Sequence, residues 1–328
     1  MLIRAGRVIA LVLALSGTTA MALQDKQAGQ SEVSIDGPEA PIIGSLTTSS
    51  AEDAPLVIII PGSGPTDRDG NNPLGVRAQS YKLLAEALAE RGIDTIRYDK
   101  RGMFASKGAI ADANAVTIAD YAADALAFAE QDMASSGRPC AWLLGHSEGG
   151  LIALAAARSA SICGLVLVAT PGRTIGALLR DQLRANPANA PILDQAMQAI
   201  DTLEAGQTFD DSSLHPGLLP LFNRSVQPFL IDMMRYNPQA LIADTDKPVL
   251  LLYGTSDIQV TQEEGELLKT ANDRAKLIIL PDVNHVLKAV PDGDRAANLM
   301  SYQNPDMPLA PGVADSIAGF ITAKTKAD

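Results

Sequence analysis

The sequence predicts an α/β fold with a mostly parallel central sheet, helices on both faces and a helical lid insertion. Short β-rich runs alternate with amphipathic helical patterns from Pro55 onward. The first run, residues 56–60, is apolar throughout, as a strand buried on both faces requires. A long later stretch has helical patterns only. Strands that alternate with helices in this way imply right-handed crossovers and a parallel sheet.

The individual elements follow from these patterns. The runs rich in β-branched and other apolar residues predict strands at 56–60, 93–98, 142–145, 165–169, 249–253 and 277–280. Apolar residues at helical spacing predict core helices at 79–91, 118–133, 148–158, 262–270 and 313–324.

Residues 172–246 interrupt the alternation. These 75 residues carry helical patterns and several prolines, and they are too many for an ordinary crossover. We therefore expect a core formed by residues 23–171 and 247–328, with 172–246 inserted as a helical lid. The apolar side chains between Leu218 and Met234 fit a small core within the insertion, the underside of a lid above a substrate pocket, or a membrane-docking surface.

The N-terminal residues 1–22 have the three parts of a secretory signal peptide. Arg4 and Arg7 precede a short apolar run, which is followed by the small residues Ala20 and Ala22. The run is shorter than the about 20 apolar residues of a membrane span. We expect cleavage near Ala22 and export to the periplasm or the medium, with the polar residues 23–31 as a loose leader.

Export permits disulfides, and the chain has two cysteines, Cys140 and Cys163. Each comes at the start of a predicted strand. If those strands are parallel neighbours, both sulfur atoms lie at the same edge of the sheet, about 5 Å apart in strand spacing. A disulfide between Cys140 and Cys163 and two buried free thiols both fit this pattern.

Composition excludes several classes of protein. The 328 residues include 26 Lys and Arg against 38 Asp and Glu, for a net charge of −12, and 47% of them are hydrophobic. The hydrophobic content excludes an intrinsically disordered chain. The acidic balance argues against nucleic acid and anionic membrane surfaces as main partners, because both would repel the protein.

The motif Gly145-His146-Ser147-Glu148-Gly149 lies directly between a predicted strand and a predicted helix. A G-x-S-x-G sequence at a strand-to-helix turn is typical of a nucleophilic serine. Small residues at both ends allow the sharp turn that exposes the Ser147 hydroxyl. The helix that follows places the positive end of its dipole beneath developing negative charge.

A serine nucleophile needs a base, and the chain has three histidines. His146 neighbours Ser147 in sequence, so its side chain points elsewhere and packs near the site. His215 lies in the insertion, where a solvated or capping role is the default. His285 follows the last predicted strand, at the sheet edge where the Ser147 turn also lies. We therefore predict that His285 is the base.

The base needs a carboxylate to orient it. Asp257 follows the strand at 249–253, and the order Ser147, Asp257, His285 is the one expected on an open α/β sheet. Asp282 is the main alternative, although its closeness to His285 in sequence favours a role in the turn. Asp244 and Asp246 precede their strand and belong at the opposite edge.

Acyl transfer also needs donors to the oxyanion. The backbone N–H of Glu148, directly after Ser147, is one predicted donor. The loop after the first predicted strand, Gly62-Ser63-Gly64, supplies the other, which we assign to the Ser63 N–H. This loop lacks the lysine and the spacing of a phosphate-binding loop, so phosphate binding is not expected there.

Together the Ser147 motif, the Pro61-Gly62-Ser63-Gly64-Pro65 loop, Asp257 and His285 resemble the α/β-hydrolase superfamily over roughly residues 42–323. Two segments, 61–71 and 98–102, look like a subgroup of bacterial carboxylesterases. The resemblance implies a small-molecule ester substrate, an acyl-enzyme intermediate on Ser147, and no cofactor or metal. Pro61 stands where many relatives carry His, which leaves the oxyanion donor intact because that donor is backbone.

Other functions share these features. A thioesterase, a lactonase or a peptidase would use the same triad, and a non-catalytic binding protein on this fold is an alternative from a different class. Dehalogenases and epoxide hydrolases are disfavoured, because on this fold they need an Asp in place of Ser147. The sequence thus favours a serine carboxylesterase.

Overall fold

A computed structural model of the protein describes residues 29–325. Within this range the strands form one sheet of eight, in the order β1-β2-β4-β3-β5-β6-β7-β8. Their bounds are β1 Gly29–Ile35, β2 Ile42–Thr48, β3 Leu56–Ile60, β4 Asp94–Tyr98, β5 Ala141–His146, β6 Ile162–Val168, β7 Val249–Gly254 and β8 Lys276–Leu280. The predicted signal peptide, residues 1–22, lies outside the described residues.

The six strands from β3 to β8 run parallel, and β1 and β2 add an antiparallel edge next to β4. The predicted mostly parallel α/β sheet is therefore confirmed, and all six predicted strands are present. The expectation of a loose leader through Ser31 is wrong for Gly29–Ser31, because β1 pairs with β2 from Gly29 to Ile35. The polar sequence of β1 hid this strand, since its first four residues are exposed at the sheet edge.

Helices cover both faces of the sheet. Their bounds are α1 Ser80–Ala89, α2 Ile118–Ser136, α3 Glu148–Ala156, α4 Ile175–Ala185, α5 Leu193–Glu204, α6 Leu219–Phe222, α7 Gln227–Met234, α8 Pro238–Ala243, α9 Gln262–Ala271, α10 Arg295–Ser301 and α11 Val313–Thr325. Short 3₁₀ turns lie at Phe104–Ala109, Pro187–Ile192, Asp211–Ser213 and Pro216–Leu218.

Strand β3 illustrates how the core is divided. Ile58 and Ile60 pack into a cluster with α2 and α3, whereas Val57 and Ile59 pack on the opposite face with α1 and α11. Successive residues of a strand point to opposite faces, so a strand that is covered on both sides must be apolar throughout. This is why the continuous apolar run at 56–60 predicted a central strand correctly.

The segment between β6 and β7 contains only helices and turns. It has an apolar cluster of its own, in which Leu203, Leu218 and Phe222 are buried. Met233 instead packs into the main core beside α2 and α3. Most apolar side chains of the segment thus have partners within the protein, and its role as a lid stays a prediction.

Cys140 and Cys163 form a disulfide at the end of the sheet where β5 and β6 begin. Their Cα atoms are 5.3 Å apart, close to the spacing of neighbouring strands. Among residues 29–325, no helix combines the length and the apolar character that a bilayer span requires.

Candidate active site

Ser147 occupies a sharp turn between β5 and α3. Its backbone has φ 54° and ψ −122°, a strained conformation for a residue other than glycine. The Ser147 N–H donates to the Val168 carbonyl of the neighbouring strand β6 at 2.9 Å. The turn is therefore fixed by its neighbour, and Ser147 lies at the carboxyl edge of the sheet.

The glycines around Ser147 are required by close packing. A Cβ on Gly145 would lie 2.2 Å from the Gly149 carbonyl oxygen, and one on Gly149 would lie 2.3 Å from the Ile60 carbonyl oxygen. A Cβ on Gly150 would meet the Thr170 hydroxyl at 1.9 Å. These contacts hold the first turn of α3 against β3 and against the residues after β6.

The structure joins the predicted base and carboxylate. His285 Nδ1 is 2.7 Å from Asp257 Oδ2, and the Asp257 side chain is only 1% exposed. The other oxygen, Oδ1, accepts the backbone N–H groups of Gln259 at 2.8 Å and Val260 at 2.9 Å. A carboxylate held in this way fixes the orientation of the imidazole ring and leaves its Nε2 for chemistry.

The loops that carry Asp257 and His285 are tied together. The Ser256 N–H donates to the Val283 carbonyl at 3.0 Å, and a Cβ on Gly254 would lie 2.0 Å from the same oxygen. The Asn284 amide also donates to Ser301 Oγ in α10, at 2.7 Å. The Asp257–His285 pair therefore rests on backbone contacts between adjacent strand ends.

Ser147, His285 and Ser63 line one cavity of about 130 Å³. Tyr81, Gln259 and Tyr302 complete much of its wall. No residue of 172–246 lines it. The structure thus brings the sequence-predicted nucleophile, base and oxyanion loop to one place.

The two predicted oxyanion donors have backbone N–H groups without an acceptor among residues 29–325. The Glu148 N–H lies in the first turn of α3, where such groups have no partner within the helix. The Ser63 N–H follows Gly62, where an added Cβ would be 3.3 Å from the Ser147 Cβ. Both donors are therefore beside Ser147 and available to a ligand.

A buried hydrogen-bond chain connects the oxyanion loop with the base. The Gly62 N–H donates to Tyr81 Oη at 3.0 Å, and the Tyr81 hydroxyl lies 2.8 Å from His146 Nδ1. His146 Nε2 lies 2.8 Å from the His285 carbonyl oxygen. The geometry fits one assignment, in which Tyr81 donates to Nδ1 and the Nε2–H donates to His285.

Burial keeps the Tyr81 and His146 side chains of this hydrogen-bond chain uncharged. It lowers the pKa of His146 to about 3, and the nearby His285 ring contributes to that lowering. Burial also raises the pKa of Tyr81 above the usual range. His146 therefore stays neutral across the physiological range and serves as a scaffold, as expected of a histidine whose side chain packs near the site.

The remaining candidates lie elsewhere. His215 is exposed and its Nδ1 accepts the Gly217 N–H at 3.1 Å, so it caps a 3₁₀ turn. Asp282 has a positive φ of 58°, and its carboxylate accepts the Asp292 N–H at 3.3 Å, so this residue shapes the turn, as expected. Asp244 pairs with Arg158 at the opposite edge of the sheet.

Sequence reasoning missed the supporting groups around the triad. Tyr81 and Lys100 are buried and hold the oxyanion loop. Nothing in a single sequence distinguishes Tyr81 from an ordinary core residue of a helix, whereas Lys100 left a signal. A run of Asp99, Lys100 and Arg101 directly after a buried strand was the available signal, since charged residues are rarely buried without partners.

A larger cavity, of about 620 Å³, lies beside the first helix of the segment 172–246. Arg173, Gln182 and Arg295 contribute to its lining, and Gln259 lines both cavities. Gln182 Nε2 donates to the Gln259 carbonyl at 2.9 Å. The helical segment therefore contacts the site through Gln259.

No group of three or more His, Cys, Asp or Glu side chains within residues 29–325 is arranged to hold a metal ion. The groups at this site instead suit nucleophilic attack, proton transfer and binding of an oxyanion.

The sequence pattern of the Alpha/beta hydrolase family matches residues 57–297, a stretch that includes the Ser147 turn, Asp257 and His285. The chain belongs to the alpha/beta hydrolase family. The predicted family is confirmed. In this protein the parallel strands β3 to β8 carry the site at their carboxyl ends, as in other open α/β sheets.

Among alpha/beta hydrolases with a described role, Esterase EstD of Thermotoga maritima is 27% identical over 240 residues. The match covers 71% of this chain and 54% of EstD, so the chain spans about half the length of that relative.

Two solved structures share the fold. Est1E from Butyrivibrio proteoclasticus has a TM-score of 0.55 and 18% identity, covering 90% of this chain and 99% of its own. The Pyrococcus furiosus esterase Pf2001 has a TM-score of 0.54 and 15% identity, covering 90% and 93%.

Proposed function

We propose that the protein is a serine carboxylesterase. Ser147 attacks the ester carbonyl, His285 accepts the serine proton and then donates it to the leaving alcohol, and Asp257 stabilises the imidazolium. The N–H groups of Ser63 and Glu148 bind the oxyanion. Water then hydrolyses the acyl-enzyme on Ser147, with His285 again as the base.

One observation carries this proposal. The strained Ser147 turn and a histidine held 2.7 Å from a buried carboxylate line the same small cavity. A binding protein has no need of a strained serine beside an oriented base. The likeness to EstD supports an ester rather than a thioester, a lactone or an amide as the substrate.

The cavity supports a preference for small groups. Its volume of about 130 Å³ is below the roughly 300–1,000 Å³ of pockets that enclose drug-sized ligands. We expect the part of the ester next to Ser147 to be short, with any larger group extending past Gln259 toward the 620 Å³ cavity beside the helical segment. In that arrangement residues 172–246 act as a lid over the outer part of the substrate.

We also propose that the protein is exported after cleavage near Ala22. The Cys140–Cys163 disulfide supports this location, because disulfides persist in oxidising compartments. Cell fractionation, with the N-terminal sequence of the recovered protein, tests it. Recovery in the cytoplasm with residues 1–22 attached would contradict it.

A panel of p-nitrophenyl esters of increasing acyl length tests the activity and the substrate class. We expect the highest kcat/KM for short acyl groups and a loss of at least about 10⁴-fold in kcat for Ser147→Ala. A matched thioester, lactone and amide extend the panel. If Ser147→Ala kept full ester hydrolysis, or if an amide were cleaved faster than every ester, the proposal would be wrong.

A further inference from the structure

Lys100 is a buried lysine that the proposed reaction does not use. Its side chain is 1% exposed, and its Nζ lies 2.8 Å from the Gly62 carbonyl oxygen and 3.2 Å from Glu148 Oε1. The Tyr121 ring lies on a further side, with its centroid 5.2 Å from Nζ. Burying an ammonium group is costly, so a lysine in this position needs such contacts.

The first contact acts on an oxyanion donor. The Gly62 carbonyl and the Ser63 N–H belong to the same peptide group, which is planar, so fixing the direction of the C=O also fixes that of the N–H. The Gly62 N–H is held separately by Tyr81 Oη at 3.0 Å. Together these two bonds lock the peptide on both sides of Gly62, and a cation on the C=O polarises the peptide and strengthens its N–H as a donor.

The second contact acts at the other donor. The buried Glu148 side chain belongs to the residue whose N–H is the second oxyanion donor. An unpaired carboxylate so close to Ser147 would oppose the negative charge that develops on the substrate. The Lys100 ammonium offsets this carboxylate, and the pair joins the oxyanion loop to the start of α3.

We infer that Lys100 is the positioning residue of the oxyanion hole. It directs the Ser63 N–H toward the reacting carbonyl and neutralises the Glu148 carboxylate, so that no unpaired negative charge of Glu148 opposes the oxyanion beside the two donors. This inference rests on the proposed function, since an oxyanion forms only if Ser147 attacks a carbonyl.

A purely structural ion pair is the competing explanation, and a double variant separates the two. Lys100→Met removes the cation and leaves the Glu148 carboxylate buried and unpaired, which destabilises the fold. Lys100→Met combined with Glu148→Gln removes both charges and relieves that cost. Glu148→Gln alone is the reciprocal comparison: it keeps the Lys100 contact with the Gly62 carbonyl but leaves the ammonium without its carboxylate, so it measures the stability cost of the unpaired cation.

Four quantities are measured for each variant: the melting temperature, kcat and KM for a short p-nitrophenyl ester, and the inhibition constant of an alkyl boronic acid, which forms a tetrahedral adduct with the serine. For the double variant we expect a melting temperature near that of the wild type and an unchanged KM. We expect kcat and boronate affinity to fall together by about 10- to 100-fold, below the roughly 10²–10³-fold for complete loss of one donor.

The inference is overturned if the double variant regains both kcat and boronate affinity within about twofold of the wild type. It is also overturned if neither Lys100 variant folds, because the lysine would then act on the fold and not on the donors. Labelling of wild-type Ser147 by a fluorophosphonate checks the proposed function separately. A labelled, active wild type with an unimpaired double variant defeats the inference alone, whereas an inert wild type defeats the function.

Discussion

Charged side chains are buried at the carboxyl edge of the sheet, whereas the helical segment 172–246 carries ion pairs at its surface. At the sheet edge Asp257 and Lys100 are each 1% exposed, and each is held by several fixed partners. In the helical segment Arg184 pairs with Asp181, and the two side chains are 58% and 51% exposed. Buried charges depend on every partner, whereas exposed pairs contribute little to stability. Substitutions should therefore have large effects at the edge and small effects in the segment.

The largest effect is expected for Asp257→Asn. The amide cannot hold His285 in the same tautomer or stabilise its cation, so kcat should fall by about 10⁴-fold with little change in KM. Asp282→Asn is the matched control, because that carboxylate is exposed and lies in the turn before His285. Steady-state kinetics on both variants check the prediction, and a loss of less than tenfold for Asp257→Asn would count against it.

Gly149→Ala tests the packing beneath Ser147. The new methyl would press on the backbone carbonyl of Ile60, which cannot move without shifting β3, so the free energy of unfolding should fall by about 3 kcal/mol. Gly319→Ala is the control, because a Cβ there would have no atom of residues 29–325 within 4 Å beyond its own stretch of helix, and alanine favours the helix by up to about 1 kcal/mol. Urea unfolding measures both, and equal stability of the Gly149 variant and the wild type would refute the close contact.

The neutral His146 predicts a pH dependence of stability. In the unfolded chain a histidine binds a proton at its ordinary pKa of about 6.5, whereas in the folded protein burial lowers the pKa of His146 to about 3. Between these values the unfolded state binds more protons, so stability falls as the pH falls, by up to about 1.4 kcal/mol per pH unit.

His146→Gln isolates this contribution, since glutamine does not titrate and its amide can still donate toward the His285 carbonyl. Urea unfolding at pH 6.5, 5.5 and 4.5 should give a shallower pH dependence for the variant than for the wild type. Equal slopes would mean that His146 is protonated in the folded protein.

The smallest effect is expected in the helical segment. Arg184→Ala breaks an exposed ion pair with Asp181, so it should cost less than about 1 kcal/mol, and less still at high salt because such pairs are screened. Activity should be unchanged. If the free energy of unfolding fell by more than about 2 kcal/mol, the exposed ion pair of the segment would contribute as much to stability as a buried charge at the sheet edge.

How much could be predicted from the sequence also differs from one part of the molecule to another. The meeting of Ser147, Asp257 and His285 could be predicted because each follows a strand of the parallel sheet, β5, β7 and β8 respectively, and the ends of parallel strands share one edge. Strand β1 was missed because its exposed polar residues carry no apolar alternation. Tyr81 and Lys100 were missed because their partners, His146 and Glu148, are 65 and 48 residues away in the chain, and only the folded structure brings them together.

The most direct test of the account is the identity of the residue that a fluorophosphonate modifies in the folded protein. We expect one adduct, located on Ser147 by peptide mass spectrometry, complete loss of ester hydrolysis on labelling, and no adduct on Ser147→Ala. Failure to label the wild type, an adduct on another serine, or hydrolysis that survives full labelling of Ser147 would contradict the account.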